Sequence, residues 1–236
     1  MSSSNFTAKD LMEIGSTEFT SFVTSYYQGV VPIMPPPNSR PIDLPLHYMT
    51  YRGISTEDAK RLGMFWCDKG KYANRLIFPV WEDDKLVYWQ ARAMWDSKEK
   101  GFLKALNPPK CPGTAVSSDV FMNLNSARFY PRVCITEGPI DCIHTGPDAV
   151  ASFGKSLSAV QIAKLWRAGV RAIDLMWDAD ARESTLGIAP LLAQMFDLRI
   201  VWLPEKDPGS YTRDYLTYLR RHAQPFCKRS LLGAIP

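Results

Sequence analysis

Between Arg132 and Arg221, short apolar runs alternate with helix-length segments, and this alternation limits the fold more than any other feature of the chain. The runs are Arg132–Thr136 (RVCIT), Ala149–Phe153, Arg171–Trp177 (RAIDLMW) and Leu198–Leu203 (LRIVWL). Gly138–His144, Ser158–Ala168 and Glu183–Phe196 read as helices, and a last helix is expected at about Tyr211–Arg221. Ser158 and Gln161 form a capping box, and Gly169 closes that helix. Strand and helix alternating at this spacing predict an α/β fold with a parallel sheet flanked by helices.

The preceding stretch reads differently. Ser55 caps a short helix with Asp58 at its third position, and Gly63 ends it. Arg75–Val80 (RLIFPV) and Leu86–Arg92 (LVYWQAR) are strand-like and meet at the acidic turn Glu82-Asp83-Asp84. Together they predict a smaller α+β subdomain. Pro32, Pro35–Pro37, Pro41 and Pro45 exclude helix and central strand, so 31–45 is expected to be an extended linker or strap. A short helix over Ser16–Tyr27 is compatible with the sequence. The expected division is an N-terminal segment with its Pro-rich linker (1–45), a basic α+β subdomain (46–130), the parallel-sheet domain (131–209), and a C-terminal helix with a basic tail (210–236).

Composition narrows the class. Hydrophobic residues make up 46% of the 236 and charged residues 22%, which excludes a largely disordered chain. No apolar run approaches the ~20 residues of a membrane span. The start, MSSSNFTAKD, lacks the basic and apolar regions of a secretion signal, so a cytoplasmic location with no membrane partner is expected. The five cysteines are odd in number and form no CxxC pair, which argues against a disulfide framework or a zinc site. The net charge of +4 is uneven: residues 40–132 carry 15 Lys/Arg against 10 Asp/Glu. Residues 213–229 hold Arg213, Arg220, Arg221, Lys228 and Arg229 against Asp214 alone. Both segments have the charge to meet a polyanion.

Ligands of open parallel sheets bind beyond the carboxyl ends of the strands. Glu137 and Asp141 follow the first strand, Asp178 and Asp180 the third, and Asp207 the fourth. Glu137 and Asp141, four apart, can face one way on a first helical turn, and Asp178 and Asp180 on an extended exit would share a face. Clustered carboxylates repel and raise one another's pKa unless a cation lies between them. Oxygen-only ligands select Mg²⁺ or Mn²⁺ over Zn²⁺, and such ions serve phosphoryl transfer.

EGPID at 137–141, DAD at 178–180 and KDP at 206–208 resemble the signature of TOPRIM domains, which occur in primases, topoisomerases and some nucleases. YRGISTEDAKRLG at 51–63, NRLIFPV at 74–80, QAR at 90–92, KALNPP at 104–109 and AVASFGKSLSAVQIAKL at 149–165 resemble, in order, the catalytic domain of bacterial and phage-type DNA primases. The resemblance covers about 48–220. It implies a DNA-directed RNA polymerase that makes RNA primers on single-stranded DNA from NTPs, in a bacterial or phage-infected cell. It implies Glu137, Asp141, Asp178, Asp180 and Asp207 as catalytic residues, with Glu137, Asp178, Asp180 and Asp207 holding Mg²⁺ or Mn²⁺. Arg75, Arg92, Lys104, Asn107 and Lys155 would bind nucleotide or template.

Three departures stand beside it. Arg182-Glu183 occupies the place of an Ala-Gly pair, Gly209 that of a second Asp, and residues 1–45 hold no Cys or His for a zinc ribbon. No zinc is therefore expected, and a separate zinc-ribbon or template-recognition protein would supply that part. No GxxxxGK[ST] loop is present, so a replicative helicase would also be a separate chain. The alternatives are a TOPRIM nuclease and a catalytically weak TOPRIM subunit that binds nucleic acid in a replication complex. A dehalogenase-like phosphatase is disfavoured by the late position of its DxD.

Overall fold

A computed structural model describes residues 30–98 and 101–226. The helix expected at Ser16–Tyr27, and Lys228 and Arg229, lie outside the described residues. The chain divides into two units, one of them Val30–Val116 and the other containing Ser117 onward. Among the described residues no helix is long and apolar enough to cross a membrane.

The Val30–Val116 unit is an antiparallel sheet in the order β1 (Ser39–Pro41), β2 (Phe65–Cys67), β3 (Arg75–Glu82), β4 (Lys85–Ala93) and β5 (Ala105–Leu106). Helices α1 (His47–Tyr51) and α2 (Thr56–Leu62) lie between β1 and β2 in sequence. Ser55 Oγ accepts the Asp58 N–H at 3.0 Å, and Gly63 stops α2 at φ 63°. Asp83 and Asp84 both take positive φ, as a two-residue hairpin of this twist requires. Pro79 lies where β3 has β4 as its one neighbouring strand, since β2 pairs only with Arg75–Ile77. The proline-rich stretch is a strap rather than a free linker. Val31 donates to Gly113, Ile33 to Leu86, and Trp89 Nε1 to Met34, before β1 joins the sheet edge. Cys67, Tyr72, Ile77, Leu86, Trp89 and Ala91 form this unit's buried apolar cluster.

The second unit holds a wholly parallel sheet in the order β7 (Ala149–Ala151), β6 (Val133–Thr136), β8 (Ala172–Leu175), β9 (Asp197–Ile200). Its helices are α3 (Leu124–Ala127), α4 (Pro139–Thr145), α5 (Ala159–Arg167), α6 (Arg182–Met195) and α7 (Arg213–His222). The α/β expectation holds. Alternation along the strands separates two faces. Val133, Ile135, Ile173, Leu175, Leu198 and Ile200 pack with α5 and α6 in one apolar core. The Ser158–Gln161 capping box forms as expected. Gln161, 1% exposed, also donates to Val120 and Ser152, so the cap is at once a buried tie.

The other face is ionic. Asp174 on β8, fully buried, accepts Arg199 Nε and Nη2 at 2.7 and 2.8 Å and Arg220 Nε at 3.0 Å. Arg220 reaches Asp148 at 2.5 Å, and Arg132 bridges Asp174 and Asp197. Arg213 donates to the carbonyls of Ile143 and His144 at the end of α4. Two of the cations expected to meet a polyanion thus serve the fold instead: α7 needs them to dock on the sheet and on α4.

Removing one partner of a buried ion network leaves the others uncompensated, at about 3–5 kcal/mol. Asp174→Asn is expected to lower Tm by roughly 6–20 °C at ~2–4 °C per kcal/mol. A melting curve within a degree or two of wild type would remove Asp174 from this role.

Candidate metal and nucleotide site

The connections run from β6 through α4 to β7, then across to β8 and on to β9. The order therefore reverses between the neighbouring strands β6 and β8, and the crevice beyond their carboxyl ends is where such sheets bind ligands. Glu137 directly follows β6, and Asp178 follows β8. The Glu137 carbonyl accepts the Phe153 N–H at 2.8 Å, which fixes the first exit. At the second, Ala179 N–H donates to Lys206 at 2.8 Å, tying the Asp178 exit to the loop of Asp207.

Asp141 plays a different part from the one its spacing suggested. Gly138 is the N-cap of α4, so Glu137 lies outside the helix and does not share its face. Asp141, 9% exposed, turns back instead: Oδ2 accepts the Gly138 N–H at 3.1 Å and Oδ1 the Gly209 N–H at 3.0 Å. A Cβ at Gly138 would lie 2.7 Å from Asp141 Oδ2, and one at Gly209 3.0 Å from Oδ1 and 3.2 Å from an Asp207 oxygen. Gly209 stands where a second Asp was expected because two carboxylates approach its backbone.

The exit carrying Asp178 and Asp180 is not extended. Ala179–Ala181 is a single 3₁₀ turn closed by Ala181 N–H on the Asp178 carbonyl, so the two carboxylates do not alternate on one face. Asp180 points to solvent, 72% exposed, and pairs with Lys155 Nζ at 2.6 Å. Arg182 and Glu183 are both exposed, with the Arg182 guanidinium 4.5 Å over the Trp202 ring. They need no close helix packing, which accounts for the tolerated departure there.

Electrostatics single out Glu137, Asp141 and Asp178. Burial, then the Asp178 charge, pushes Glu137 up to about 7. Burial, Asp178 and Asp207 raise Asp141 to about 6 against the pull of its two backbone N–H bonds. Burial and Asp207 also raise Asp178. Glu137 Oε2 and Asp178 Oδ1 are buried with no hydrogen-bond partner. Among the described residues no three His, Cys, Asp or Glu side chains enclose a metal ion as they stand. The donor chemistry nevertheless fits a hard divalent cation: oxygen-only groups, mutually repelling, with two buried oxygens unpaired.

The basic candidates of the Val30–Val116 unit fall into two kinds. Arg75 is buried and donates to the carbonyls of Ala91, Leu103 and Lys104, with its guanidinium 5.7 Å over Trp95. Arg92 Nε is buried without a hydrogen-bond partner, Lys104 pairs loosely with Asp96 at 3.3 Å, and Asn107 is exposed. Sequence reasoning missed Gly138, Gly209 and Lys206 as shapers of the site. The Gly-Pro and Pro-Gly dipeptides beside the carboxylates were the available signals.

No protein-family model matches the chain, and no curated protein matches it in sequence. Solved structures do match in fold. The zinc-binding and RNA polymerase domains of Aquifex aeolicus primase superpose with a TM-score of 0.68 at 16% identity, covering 95% of this chain and 66% of that one. A DnaG catalytic core gives 0.66 at 19%, covering 93% and 84%. A DnaG primase catalytic domain bound to single-stranded DNA gives 0.63 at 18%, covering 89% and 81%. The chain therefore has the fold of the primase catalytic core.

A carboxylate whose pKa rises on folding destabilises the fold wherever the unfolded chain ionises more readily than the folded one. For Glu137 this cost is absent below its ordinary value of 4.5, grows between 4.5 and about 7, and is complete above that. Glu137→Gln is therefore expected to melt ~2–4 °C above wild type at pH 8, about 1 kcal/mol after allowing for solvent screening. The gain should vanish near pH 4.5. An equal Tm difference at both pH values would contradict the assignment.

Proposed function

We propose that the chain is the catalytic part of a DNA primase, a nucleotidyltransferase that joins NTPs into RNA primers on a single-stranded DNA template during DNA replication. One observation carries this reading. In a fold shared with primase catalytic cores, Glu137 and Asp178 flank the switch point of the parallel sheet with two buried, unpartnered carboxylate oxygens.

Glu137, Asp178, Asp180 and Asp207 would hold Mg²⁺ or Mn²⁺, which would supply Lewis-acid stabilisation of the attacking and leaving oxygens. The chain's own residues do the rest. Glu137 and Asp178 would offer the ion their buried, unpartnered oxygens, and its charge would offset the repulsion between them. Asp141 acts through the backbone, holding the Glu137 exit and the Asp207 loop at one spacing. Lys155, paired with Asp180 at 2.6 Å, would be the ammonium beside these carboxylates that meets triphosphate oxygens. Arg92, Lys104 and Asn107 offer further donors to phosphate, whereas the buried guanidinium of Arg75 supports the strand that carries Arg92. A separate helicase and a separate template-reading protein are the partners this chemistry calls for.

The test is primer synthesis on single-stranded DNA with labelled NTPs, beside a nicking assay on the same DNA. Wild type is expected to extend primers in Mg²⁺ or Mn²⁺. Asp178→Asn, folded by its melting curve, is expected to lose at least a hundredfold in rate, the scale of a lost charge-stabilising group. Synthesis at the wild-type rate in that variant overturns the site, and DNA nicking without synthesis moves the chain to the nucleases.

A further inference from the structure

Tyr215, Tyr218 and His222 recur at spacings of three and four along one face of α7, and Tyr211, in extended backbone just before the Thr212 cap, continues their row. Successive ring centroids are 5.3, 6.2 and 4.2 Å apart, and Tyr215 and Tyr218 are within 17° of parallel. The ladder faces solvent, with Tyr215 38% and Tyr218 55% exposed. The first rung is fixed: Tyr211 O–H donates to the Glu205 carbonyl at 2.6 Å, and the Glu205 N–H donates back at 3.1 Å. Glu205 belongs to the loop that carries Asp207. At the far end His222 lines a cleft of about 370 Å³ with Trp202, Leu219 and Phe226, and Arg182 covers the Trp202 ring at 4.5 Å.

We propose that this ladder is a stacking platform for the unpaired DNA template strand, running from the Asp207 loop along α7 over about 16 Å. This rests on the primase reading, which it deepens by naming where the single strand lies. The composition of the face selects the occupant. Its four rungs are all aromatic rings, whereas a surface built to receive a protein helix presents a row of aliphatic anchors. Unpaired bases each offer a π-face, and stacking on such rings tolerates any sequence. Arg213 and Arg220 are committed to the fold, which leaves the exposed Arg221 on α7 as the cation that suits a polyanion. The exposed Lys206 and Arg182 stand toward either end. Duplex DNA keeps its bases stacked internally and gains nothing from the rings. A primer is short and paired, so the template is the strand with free bases to offer.

The experiment measures binding of a labelled oligothymidylate by fluorescence anisotropy, beside a duplex of equal length. The variants are Tyr215→Leu/Tyr218→Leu, Tyr218→Leu alone and Tyr215→Phe/Tyr218→Phe, each checked by its melting curve. All keep an apolar side chain at exposed helical positions, but only phenylalanine keeps the π-face. The leucine pair is expected to bind the oligonucleotide about tenfold more weakly, on the scale of lost base–ring stacks. The single variant should fall part of the way, the phenylalanine pair within twofold of wild type, and duplex affinity should not change. Unchanged single-strand affinity in the leucine pair, or an equal loss with leucine and phenylalanine, overturns the proposal and leaves the face to a protein partner. Primer synthesis by the unaltered protein is measured alongside. If no primers form yet the leucine pair binds single strands weakly, the platform stands and the primase reading falls. If primers form while the leucine pair binds normally, the platform alone falls.

Discussion

Two backbone N–H groups hold the site open. Gly138 and Gly209 both donate to Asp141, so one buried carboxylate fastens the exit of β6 to the loop that follows β9. Ala179 N–H on the Lys206 carbonyl fastens the exit of β8 to the same loop. Three strand ends are thereby kept at a fixed spacing, although the side chains they carry repel one another. The raised pKa values of Glu137, Asp141 and Asp178 measure that repulsion together with burial. A fold that brings carboxylates together in this way gives up stability at that point.

The sheet bears this load because its two faces are held by different forces. Apolar burial against α5 and α6 secures one face. On the other, Asp174 joins Arg132, Arg199 and Arg220, and with Asp148 it ties α7 to β8 and to the start of β7. Such a network contributes less net free energy than apolar contacts of equal volume would, but its directional bonds set where α7 lies. That placement brings the Thr212 cap of α7 close behind the Asp207 turn and sets the aromatic rungs outward.

Much of this was legible in the sequence, for physical reasons that vary by element. The strands of the parallel sheet announce themselves because both faces are covered and the runs are apolar. The caps Ser55 and Ser158 were readable because a side chain and a backbone N–H three residues away settle them locally. Asp174 was not readable: it sits inside RAIDLMW, and its partners lie 25 and 46 residues away. Asp141 was recognised as part of the site, but its bond to Gly209 spans 68 residues, so its bracing role needed the fold. The DAD exit was misjudged as extended: Ala181 N–H on the Asp178 carbonyl curls it, and the Lys206 carbonyl in another loop pins that turn through Ala179 N–H. Strands as short as β2 and β5 carry too few residues to show a period.

The central proposal is that Glu137 and Asp178, held together against their repulsion, would bind a divalent cation. The most direct test is calorimetric titration of Mn²⁺ at pH 7 in buffers of different ionisation enthalpy, repeated at pH 9. A ligand that ionises near pH 7 must release its proton on binding, so about half a proton per ion is predicted at pH 7 and close to none at pH 9. Binding with no proton release at either pH, or no binding at all, would contradict the account.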